Sequence, residues 1–344
     1  MEHDYFSTLN KCEDFPKENN RFYDHPEHLG HFFQFYGVLG AGVSGVVVKA
    51  GRDDKIFAIK CIPEDDDTEN EIFTTCEINN LQEKTPIFNK IHGYVRLKHL
   101  PKIYFMGIFK LYPLLTHARI LIVQEMNTGH LDDIQWFHEK ELKVVWFILL
   151  HGIMIARKYL GYFYHRDIHI KNVMLKPFSS ALLRLEEDKF ELKGVRFIPK
   201  LIDFGQSYTK SWQHKDTSQD LVEFVDNKGN IYPPRNDIKR LYLLIKSEYE
   251  RSEFSTKRLE DFAKSAMYDA AILSKPHEFN EILNLLHNPF FADIVEITTF
   301  LKIPKECPSC TICGNIDVKY QSTSNKLHKI CGNRVCYQEY IKLN

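Results

Sequence analysis

Two acidic side chains and one amide stand beside apolar runs in the middle of the chain. Asp167 and Asn172 belong to the segment YHRDIHIKNVML (164–175), and Asp203 ends the apolar run in LIDFG (201–205). One carboxylate of such a set can orient an acceptor hydroxyl, while a second carboxylate and an amide oxygen can bind magnesium. These residue types predict the acceptor side and the metal side of a phosphoryl-transfer site.

A glycine-rich turn lies much earlier in the chain. Gly40, Gly42 and Gly45 occur in LGAGVSGVV (39–47), between two predicted strands. Glycine has no Cβ atom, so backbone N–H groups in such a turn can approach phosphate oxygens closely. A dinucleotide-binding fingerprint would open a helix, whereas this stretch opens another strand. We therefore expect a turn that holds nucleotide phosphates, with an ordinary glycine-rich hairpin as the alternative.

A lysine ends the next predicted strand, in AIK (58–60), and a helix is predicted after it. TENE (68–71) has the spacing of a capping box at a helix start. Glu71 is expected to be engaged in that cap, which leaves Glu77 to reach back and hold Lys60 toward the phosphates. Glu71 is the competing partner, and a solvated helix face is the alternative for both glutamates.

Hydrophobic periodicity predicts the elements that position these groups. Four strand-like runs cover Phe32 to Tyr36, Val46 to Ala50, Ile56 to Ile62 and Arg119 to Gln124. Apolar residues then recur every three or four positions from Leu142 to Ala156, which is typical of a long helix that stops at Gly161. A small sheet-rich lobe is therefore followed by a larger helical lobe, with the nucleotide between them.

Length, charge and hydropathy limit the number of domains, the partners and the location that we expect for the protein. A chain of 344 residues favours about two domains. The net charge of -1 gives no global attraction for nucleic acid or an acidic membrane. No secretory signal is visible at the N-terminus, and the longest apolar stretch, Val144 to Ala156, is shorter than the ~20 residues of a membrane span. We expect an intracellular, soluble protein of the cytoplasm or nucleus, with no membrane partner.

Five of the eight cysteines lie in the last 38 residues. In a reducing compartment this crowding favours metal over disulfides. Two close pairs can direct four thiolates at one structural zinc ion. The best-spaced set is Cys310, Cys313, Cys331 and Cys336. Cys307 could replace Cys310, and His328 is a further candidate. Docking, nucleic-acid contact and simple bracing all stay open as roles for this basic tail.

The segments GAGVSGVV, AIK, HRDIHIKN and DFG, in this order, resemble the signature set of the eukaryotic-type protein-kinase superfamily over about residues 31–300. The resemblance implies a bilobal α+β fold and ATP with Mg²⁺ as donor. It makes Lys60, Glu77, Asp167, Asn172 and Asp203 the catalytic set, with Asn172 and Asp203 as magnesium ligands. The nucleotide contacts it implies are Leu39, Gly40, Gly42, Gly45, Val47, Ala58, Lys60, Glu125, Met126, Asn172 and Asp203.

Several departures narrow the resemblance. His169 stands where most protein kinases have a lysine, a pattern shared with haspin-like kinases and partly with aminoglycoside and choline phosphotransferases. The stretch between Asn172 and Asp203 is long and predicts an extended strand pair, again similar to haspin. No Ala-Pro-Glu motif follows Gly205, and Asp237 resembles the buried aspartate that braces a catalytic loop. Compact, divergent kinases of this type also resemble those of large DNA viruses, for which a virion location would be open.

These observations predict four parts. Residues 1–30 form an N-terminal extension, 31–126 the N-lobe, 127–303 the C-lobe, and 304–344 a zinc-ribbon-like tail. The predicted function is an ATP- and Mg-dependent Ser/Thr protein kinase acting on a protein hydroxyl. A small-molecule phosphotransferase is the first alternative, favoured by His169 and opposed by the complete glycine turn. A catalytically silent scaffold with a zinc-dependent binding tail is the second, and the retained charged residues oppose it.

Overall fold

The structure, a computed structural model, combines an N-terminal antiparallel sheet with helices further along the chain. Among its described residues, no helix is both long enough and apolar enough to cross a membrane. The described residues are 12, 22–23, 33–42, 45–52, 54–64, 66–97, 119–161, 163–180, 182–185, 190–209, 224–225, 231–232, 237–266, 279–297, 318–321 and 329–331.

A six-stranded sheet forms the N-terminal part, in the order β1-β5-β6-β4-β3-β2. All neighbouring strands are antiparallel except β1 and β5. Valine and isoleucine dominate the central strands, where β-branched side chains pack well on a pleated surface. The predicted meander is confirmed, because β2, β3 and β4 are neighbours both in sequence and in the sheet. The strands are β1 (Phe22–Tyr23), β2 (Gln34–Ala41), β3 (Val46–Arg52), β4 (Lys55–Ile62), β5 (Ile91–Leu97) and β6 (Ile120–Glu125).

Helix α1 (Asp66–Asn79) packs on this sheet through Ile72 and Cys76. It begins before the predicted capping box, so Thr68 already lies inside the helix. The Thr68 hydroxyl donates to the Pro63 carbonyl at 2.7 Å, which anchors the first turn to the end of β4. The capping-box prediction was therefore wrong in position, and Glu71 lies in the second turn rather than in a cap.

Helix α2 (Glu139–Leu160) runs through the main core, and its side chains are buried on every face from Glu141 to Arg157. Glu141 accepts hydrogen bonds from the backbone N–H groups of Phe137 and His138, which satisfies two donors at the helix start. Gly161 follows the last turn with φ 77°, a left-handed conformation that favours glycine. The predicted helix and its stop are confirmed.

Short strands on either side of this helix in the sequence form two small antiparallel sheets. In the first sheet, β9 lies between β12 and β7, and in the second, β11 lies between β10 and β16. The stretch between Asn172 and Asp203 is thus two nested strand pairs rather than one. The strands are β7 (Gly129–His130), β8 (Phe163–Tyr164), β9 (Val173–Pro177), β10 (Leu182–Leu185), β11 (Phe190–Lys193), β12 (Phe197–Leu201), β13 (Tyr208–Thr209), β14 (Phe224–Val225), β15 (Ile231–Tyr232) and β16 (Val295–Ile297).

The described residues of the C-terminal part include three further helices, α3 (Asp237–Arg251), α4 (Lys257–Ala266) and α5 (Phe279–Leu286). Trp146 of α2 lies at the centre of an aromatic cluster with Phe262 and two neighbouring phenylalanines, Phe290 and Phe291. Edge-to-face ring pairs of this kind stabilise the core beyond simple area burial. This cluster fixes the end of α2 that is remote from the sheet.

Residues near both ends of the chain form further strand pairs. Phe22 and Tyr23, inside the predicted N-terminal extension, extend the six-stranded sheet by pairing with β5. Cys12 forms a disulfide with Cys76 of α1, although the sequence indicated only scattered cysteines there. In the tail, β17 (Val318–Gln321) and β18 (Lys329–Cys331) form an antiparallel pair. The predicted zinc ligands Cys310, Cys313 and Cys336 lie outside the described residues, as does the side chain of Cys331.

Candidate active site

Lys60 occupies the central strand position from which it reaches two carboxylates. It lies on β4, opposite Val47 of β3 and Ile122 of β6, and is 8% exposed. Its ammonium nitrogen is 2.7 Å from both carboxylate oxygens of Glu71 and 2.8 Å from Oδ1 of Asp203. Charge-assisted hydrogen bonds to two carboxylates fix the orientation of this buried ammonium group. The position of the Lys60 side chain therefore does not depend on a bound ligand.

The prediction that Glu77 positions Lys60 was wrong, because Glu71 holds that lysine. The two glutamates are six positions apart in sequence. At 100° per residue, this places them about 240° apart around the helix. When Glu71 faces the sheet, Glu77 must therefore face elsewhere. Its carboxylate accepts a hydrogen bond from the hydroxyl of Thr209 on β13.

The charges of Lys60 and Asp203 sustain one another. Burial opposes the charged form of Lys60, but Glu71 and Asp203 outweigh it and raise the pKa of the lysine. Burial likewise opposes ionisation of Asp203, yet Lys60 lowers the pKa of that carboxyl group. The charged form of Lys60 stabilises the folded protein fully at pH values below the pKa that the lysine has in the unfolded chain. The charged form of Asp203 does so at pH values above the pKa that the aspartate has in the unfolded chain. Both groups are therefore charged across the neutral range.

Asp167 and Asn172 lie in one tight loop, and the backbone of this loop is bound by a buried carboxylate. The amide of Asn172 donates to the backbone carbonyl of Asp167 at 2.9 Å and to its carboxylate at 3.2 Å. The carboxylate of Asp237, at the start of α3, accepts the backbone N–H groups of His165 and Arg166, each at 2.9 Å. Asp237 is completely buried. The loop is thus held by charge-assisted hydrogen bonds to a buried carboxylate.

Backbone geometry and aromatic packing set the position of Asp203. Its φ is 65°, a left-handed conformation that non-glycine residues rarely adopt and that clusters at functional sites. Arg166 shares this conformation at the same φ. Phe204 is buried against Phe88 and His165, at ring distances of 6.1 and 5.0 Å. With Phe204 anchored in the core, the strained residue before it directs its carboxylate toward Lys60.

A continuous path of contacts joins the four charged and polar groups. Lys60 binds Asp203, and the N–H group of the preceding residue, Ile202, donates to the backbone carbonyl of Asn172 at 3.1 Å. The side chain of Asn172 in turn binds Asp167. The structure therefore brings Lys60, Asp203, Asn172 and Asp167 together from three separate parts of the chain.

Two basic side chains also approach the carboxylate of Asp167. Nε2 of His169 lies 3.4 Å from Oδ2, and Nη1 of Arg240 on α3 lies 3.7 Å from Oδ1. Both side chains are partly exposed, so such pairs are individually weak. His169 was singled out from the sequence. Arg240 was not, since only the fold brings α3 beneath this loop.

The glycine-rich turn lies beside Lys60 in the hairpin of β2 and β3. The backbone N–H group of Gly42 donates to the carbonyl of Gly45 at 2.9 Å, and residues 43–44 between them lie outside the described segments. A Cβ atom at Gly40 or Gly42 would meet nothing within 4 Å. At Gly45 it would lie 2.5 Å from the carbonyl oxygen of Cys61, so the close approach of this turn to β4 requires glycine there.

Three residues that the sequence resemblance implies as nucleotide contacts, Leu39, Val47 and Ala58, lie on the strands β2, β3 and β4. Leu39 lies near the exposed end of β2, and Val47 lies directly opposite Lys60. Ala58 is buried on β4, two residues before Lys60, in register with Gln124. These positions line one end of the six-stranded sheet, next to the glycine-rich turn.

Residues 125–127 connect β6 to the helical part of the chain. The carbonyl of Glu125 accepts from the amide of Asn89 at 3.0 Å, and its carboxylate binds Lys176 of β9. Asn127 is buried, and its amide donates to the side chain of Asn89 at 3.2 Å. Met126 lies between these two anchored residues. The connection is therefore tied to both parts of the chain.

Sequence analysis missed two buried polar residues near the site. Lys200 on β12 donates to the carbonyl of Phe88 at 3.0 Å, and burial lowers its pKa to about 8. Asn70, next to Glu71, donates to backbone carbonyls just after Asp203. A lysine in an apolar strand run was a visible signal for the first. Nothing in the sequence distinguished Asn70 from an ordinary helix-surface residue.

The donor set at Asn172 and Asp203 fits magnesium. Mg²⁺ prefers oxygen ligands and is commonly bound by one or two protein groups together with substrate phosphates. The carboxylate of Asp203 is partly exposed beside the buried Asn172. In the part of the chain that the structure describes, no group of three or more His, Cys, Asp or Glu side chains is arranged to hold a metal ion. A two-residue site that relies on phosphates is consistent with that result.

Comparison with known proteins gives limited information. No family model matches the chain. No curated protein matches it either. The crystal structure of the kinase domain PF14_0431 aligns with this chain at 20% sequence identity and a TM-score of 0.34. The match covers 53% of each chain, so this chain spans about half the length of that kinase domain.

Proposed function

We propose that this chain is a phosphotransferase that moves the γ-phosphoryl group of Mg-ATP to a serine or threonine hydroxyl of a protein. The observation that carries the proposal is the contact path from Lys60 through Asp203 and Asn172 to Asp167. Phosphoryl transfer depends mainly on positioning and charge stabilisation, and these four side chains supply the required groups.

Each residue has a distinct role in this proposal. Lys60, fixed by Glu71, binds the donor phosphates beneath the glycine-rich turn. Asp167 accepts a hydrogen bond from the acceptor hydroxyl and orients its oxygen toward the phosphorus atom. Asn172 holds Asp167 and, with Asp203, offers oxygen ligands for magnesium. The bound magnesium ion would neutralise charge that develops on the phosphate oxygens.

A small-molecule acceptor is the second candidate, and one observation favours it. His169 lies 3.4 Å from the carboxylate of Asp167, where it can contact the transferred phosphoryl group or a compact acceptor. The glycine-rich turn and the Lys60–Glu71 pair are compatible with either acceptor class. The protein acceptor is the first choice because four segments, GAGVSGVV, AIK, HRDIHIKN and DFG, resemble the protein-kinase pattern.

The first test measures ATP turnover and phosphate incorporation by the wild type and by Asp167→Asn and Asp203→Asn. Both substitutions keep side-chain size but remove a carboxylate, so we expect turnover to fall at least ~100-fold, as for loss of a main electrostatic or acid–base group. Asp261→Asn, which alters an exposed residue of α4, is the matched control and should retain wild-type turnover.

The acceptor is identified in the same assay. Labelled ATP is offered with a mixed protein extract, or with a panel of aminoglycosides and choline. Label on protein serine or threonine supports the first candidate, and label on the small molecules supports the second. Equal turnover in the wild type and both site variants would remove the phosphotransferase proposal and favour a silent scaffold.

A further inference from the structure

Helix α1 contacts the site along two different directions. Glu71 faces the sheet and binds Lys60. Asn70 and Glu77 are seven residues apart, close to two full turns, so they share one face about 100° away from Glu71. That second face meets residues 204–209, which directly follow Asp203. One helix therefore contacts both Lys60 and the segment that carries its other partner.

Asn70 forms the stronger part of this second contact. Its side chain is 1% exposed, and its amide nitrogen lies 2.7 Å from the carbonyl of Gly205 and 2.6 Å from that of Ser207. A primary amide has two N–H donors, and these two carbonyls use both. The segment after Phe204 is thus drawn into a tight turn around a single side chain.

Burial of Asn70 has an energetic disadvantage. Its Oδ1 atom is buried and has no hydrogen-bond partner within the described residues. An unsatisfied buried acceptor destabilises a protein relative to an apolar side chain of the same shape. A leucine would fill this volume without an unpaired acceptor, but the carbonyls of Gly205 and Ser207 would lose their donor. The side chain is therefore best explained by what its donors hold.

Glu77 adds a second tie two turns further along α1. Its carboxylate accepts from the hydroxyl of Thr209, which is completely buried on β13. The β13 strand pairs with β8, immediately before the loop of Asp167. The contact thus joins α1 to the end of the segment, while Asn70 joins α1 to its beginning.

We propose that Asn70 is a positioning residue for Asp203, and that Glu77 with Thr209 secures the far end of the same segment. The inference rests on the proposed function, since Asp203 is the metal-binding carboxylate there. Through Asn70, α1 fixes Asp203 relative to Glu71 and Lys60. A shift of the segment would move the Asp203 carboxylate without removing any catalytic group.

The test uses Asn70→Leu in the full chain, with Asn79→Leu as the matched control. Asn79 lies on the same helix, but its side chain accepts from the backbone N–H group of Ile91 on β5, away from the site. Asn70→Leu should lower kcat by about 10- to 100-fold, because small misplacement of a reacting group has effects of that size. The Mg²⁺ concentration for half-maximal turnover should rise and the KM for ATP should change little. The Tm should also change little, since removal of the unpaired Oδ1 atom offsets the loss of two donors.

Asn79→Leu should show the opposite pattern, with a lower Tm and an unchanged kcat. Thr209→Val and Glu77→Met should each reduce kcat less than Asn70→Leu does. The double variant should have the same kcat as the more impaired single variant, because both substitutions remove the same hydrogen bond between Thr209 and Glu77. A kcat for Asn70→Leu equal to that of the wild type, or a loss of kcat that merely follows a loss of Tm, would overturn the inference.

Amide hydrogen exchange separates this inference from the proposed function. In Asn70→Leu, exchange should accelerate in residues 203–209 and stay unchanged in α2, whatever the reaction is. A wild-type protein without ATP turnover, but with this exchange pattern, would refute the proposed function and leave the positioning role intact. Unchanged exchange in residues 203–209 would refute the positioning role itself.

Discussion

Two buried lysines near the site experience opposite electrostatic environments. Lys60 lies between two carboxylates, which raise its pKa although burial opposes its charge. Lys200 lies on β12, in a separate sheet with β9 and β7, where burial lowers its pKa to about 8, with Lys176 acting in the same direction and Glu125 against it. The first lysine is held in its charged form by the fold, whereas the second is charged at neutral pH at some cost in stability.

Lys200→Met tests that cost. Because the folded protein releases this proton near pH 8 and the unfolded chain releases it near 10.5, the penalty is full below pH 8 and declines between those values. The variant should therefore be more stable than the wild type at pH 7, by up to about 3 kcal/mol. Phe88 retains a donor in Gln82, so the substitution leaves no orphaned carbonyl.

Urea unfolding of both proteins from pH 7 to 10.5 provides the measurement. The difference in unfolding free energy should shrink as the pH rises through this window. A difference that is independent of pH would mean that Lys200 titrates normally in the folded protein.

Helix α1 is the element on which the site geometry depends most. It carries Glu71 and Asn70 on adjacent faces toward the site, and Cys76 on the face that packs into the sheet core. The disulfide from Cys76 to Cys12 spans 64 residues of sequence and attaches the N-terminal segment to this helix. Stability of the sheet and position of the helix are therefore linked through one covalent bond.

Removing that bond by Cys12→Ser should lower the free energy of unfolding by about 2–4 kcal/mol, since a cross-link over a long loop restricts the unfolded chain. Chemical denaturation with and without dithiothreitol gives the measurement. Reduction should bring the wild type to the level of the variant and leave the variant unchanged. If dithiothreitol shifts both proteins equally, the stabilisation comes from another source.

Local sequence patterns were sufficient to predict the elements but not the contacts between them. Glycine and β-branched runs located β2 to β4, and the apolar period located α2 with its stop at Gly161. The same reasoning chose Glu77 over Glu71, because the start of α1 was placed too late by the capping-box spacing. An error of two or three residues rotates a helix face by most of a turn, and only packing against the sheet decides which face points inward.

For the whole molecule, the site depends on elements that are far apart in sequence. Lys60 comes from the sheet, Asp167 from the loop braced by α3, and Asp203 from the end of β12. Residue spacing indicated which side chains belong together, whereas Asn70, Lys200 and Arg240 join them only through the tertiary fold. The cysteine-rich tail stays a prediction, since its proposed ligand side chains lie outside the described residues.

Metal analysis of the purified full chain tests that prediction. Four thiolates at one tetrahedral site should retain about one zinc ion per chain after dialysis. A Cys310→Ser, Cys313→Ser double variant should lose the metal, and Cys61→Ser should retain it, since Cys61 is buried in β4. A wild-type protein without bound zinc would mean that the cysteine spacing is a coincidence.

The Lys60–Asp203 ion pair has a consequence for ligand choice. Each group balances the charge of the other. A bare anion that drew Lys60 away would leave the carboxylate without its cation, and a bare cation that drew Asp203 away would leave the ammonium group beside Glu71 alone. A polyphosphate already complexed with its counter-ion exchanges both partners together. Under the proposed function, this pair would favour the neutralised complex over either component.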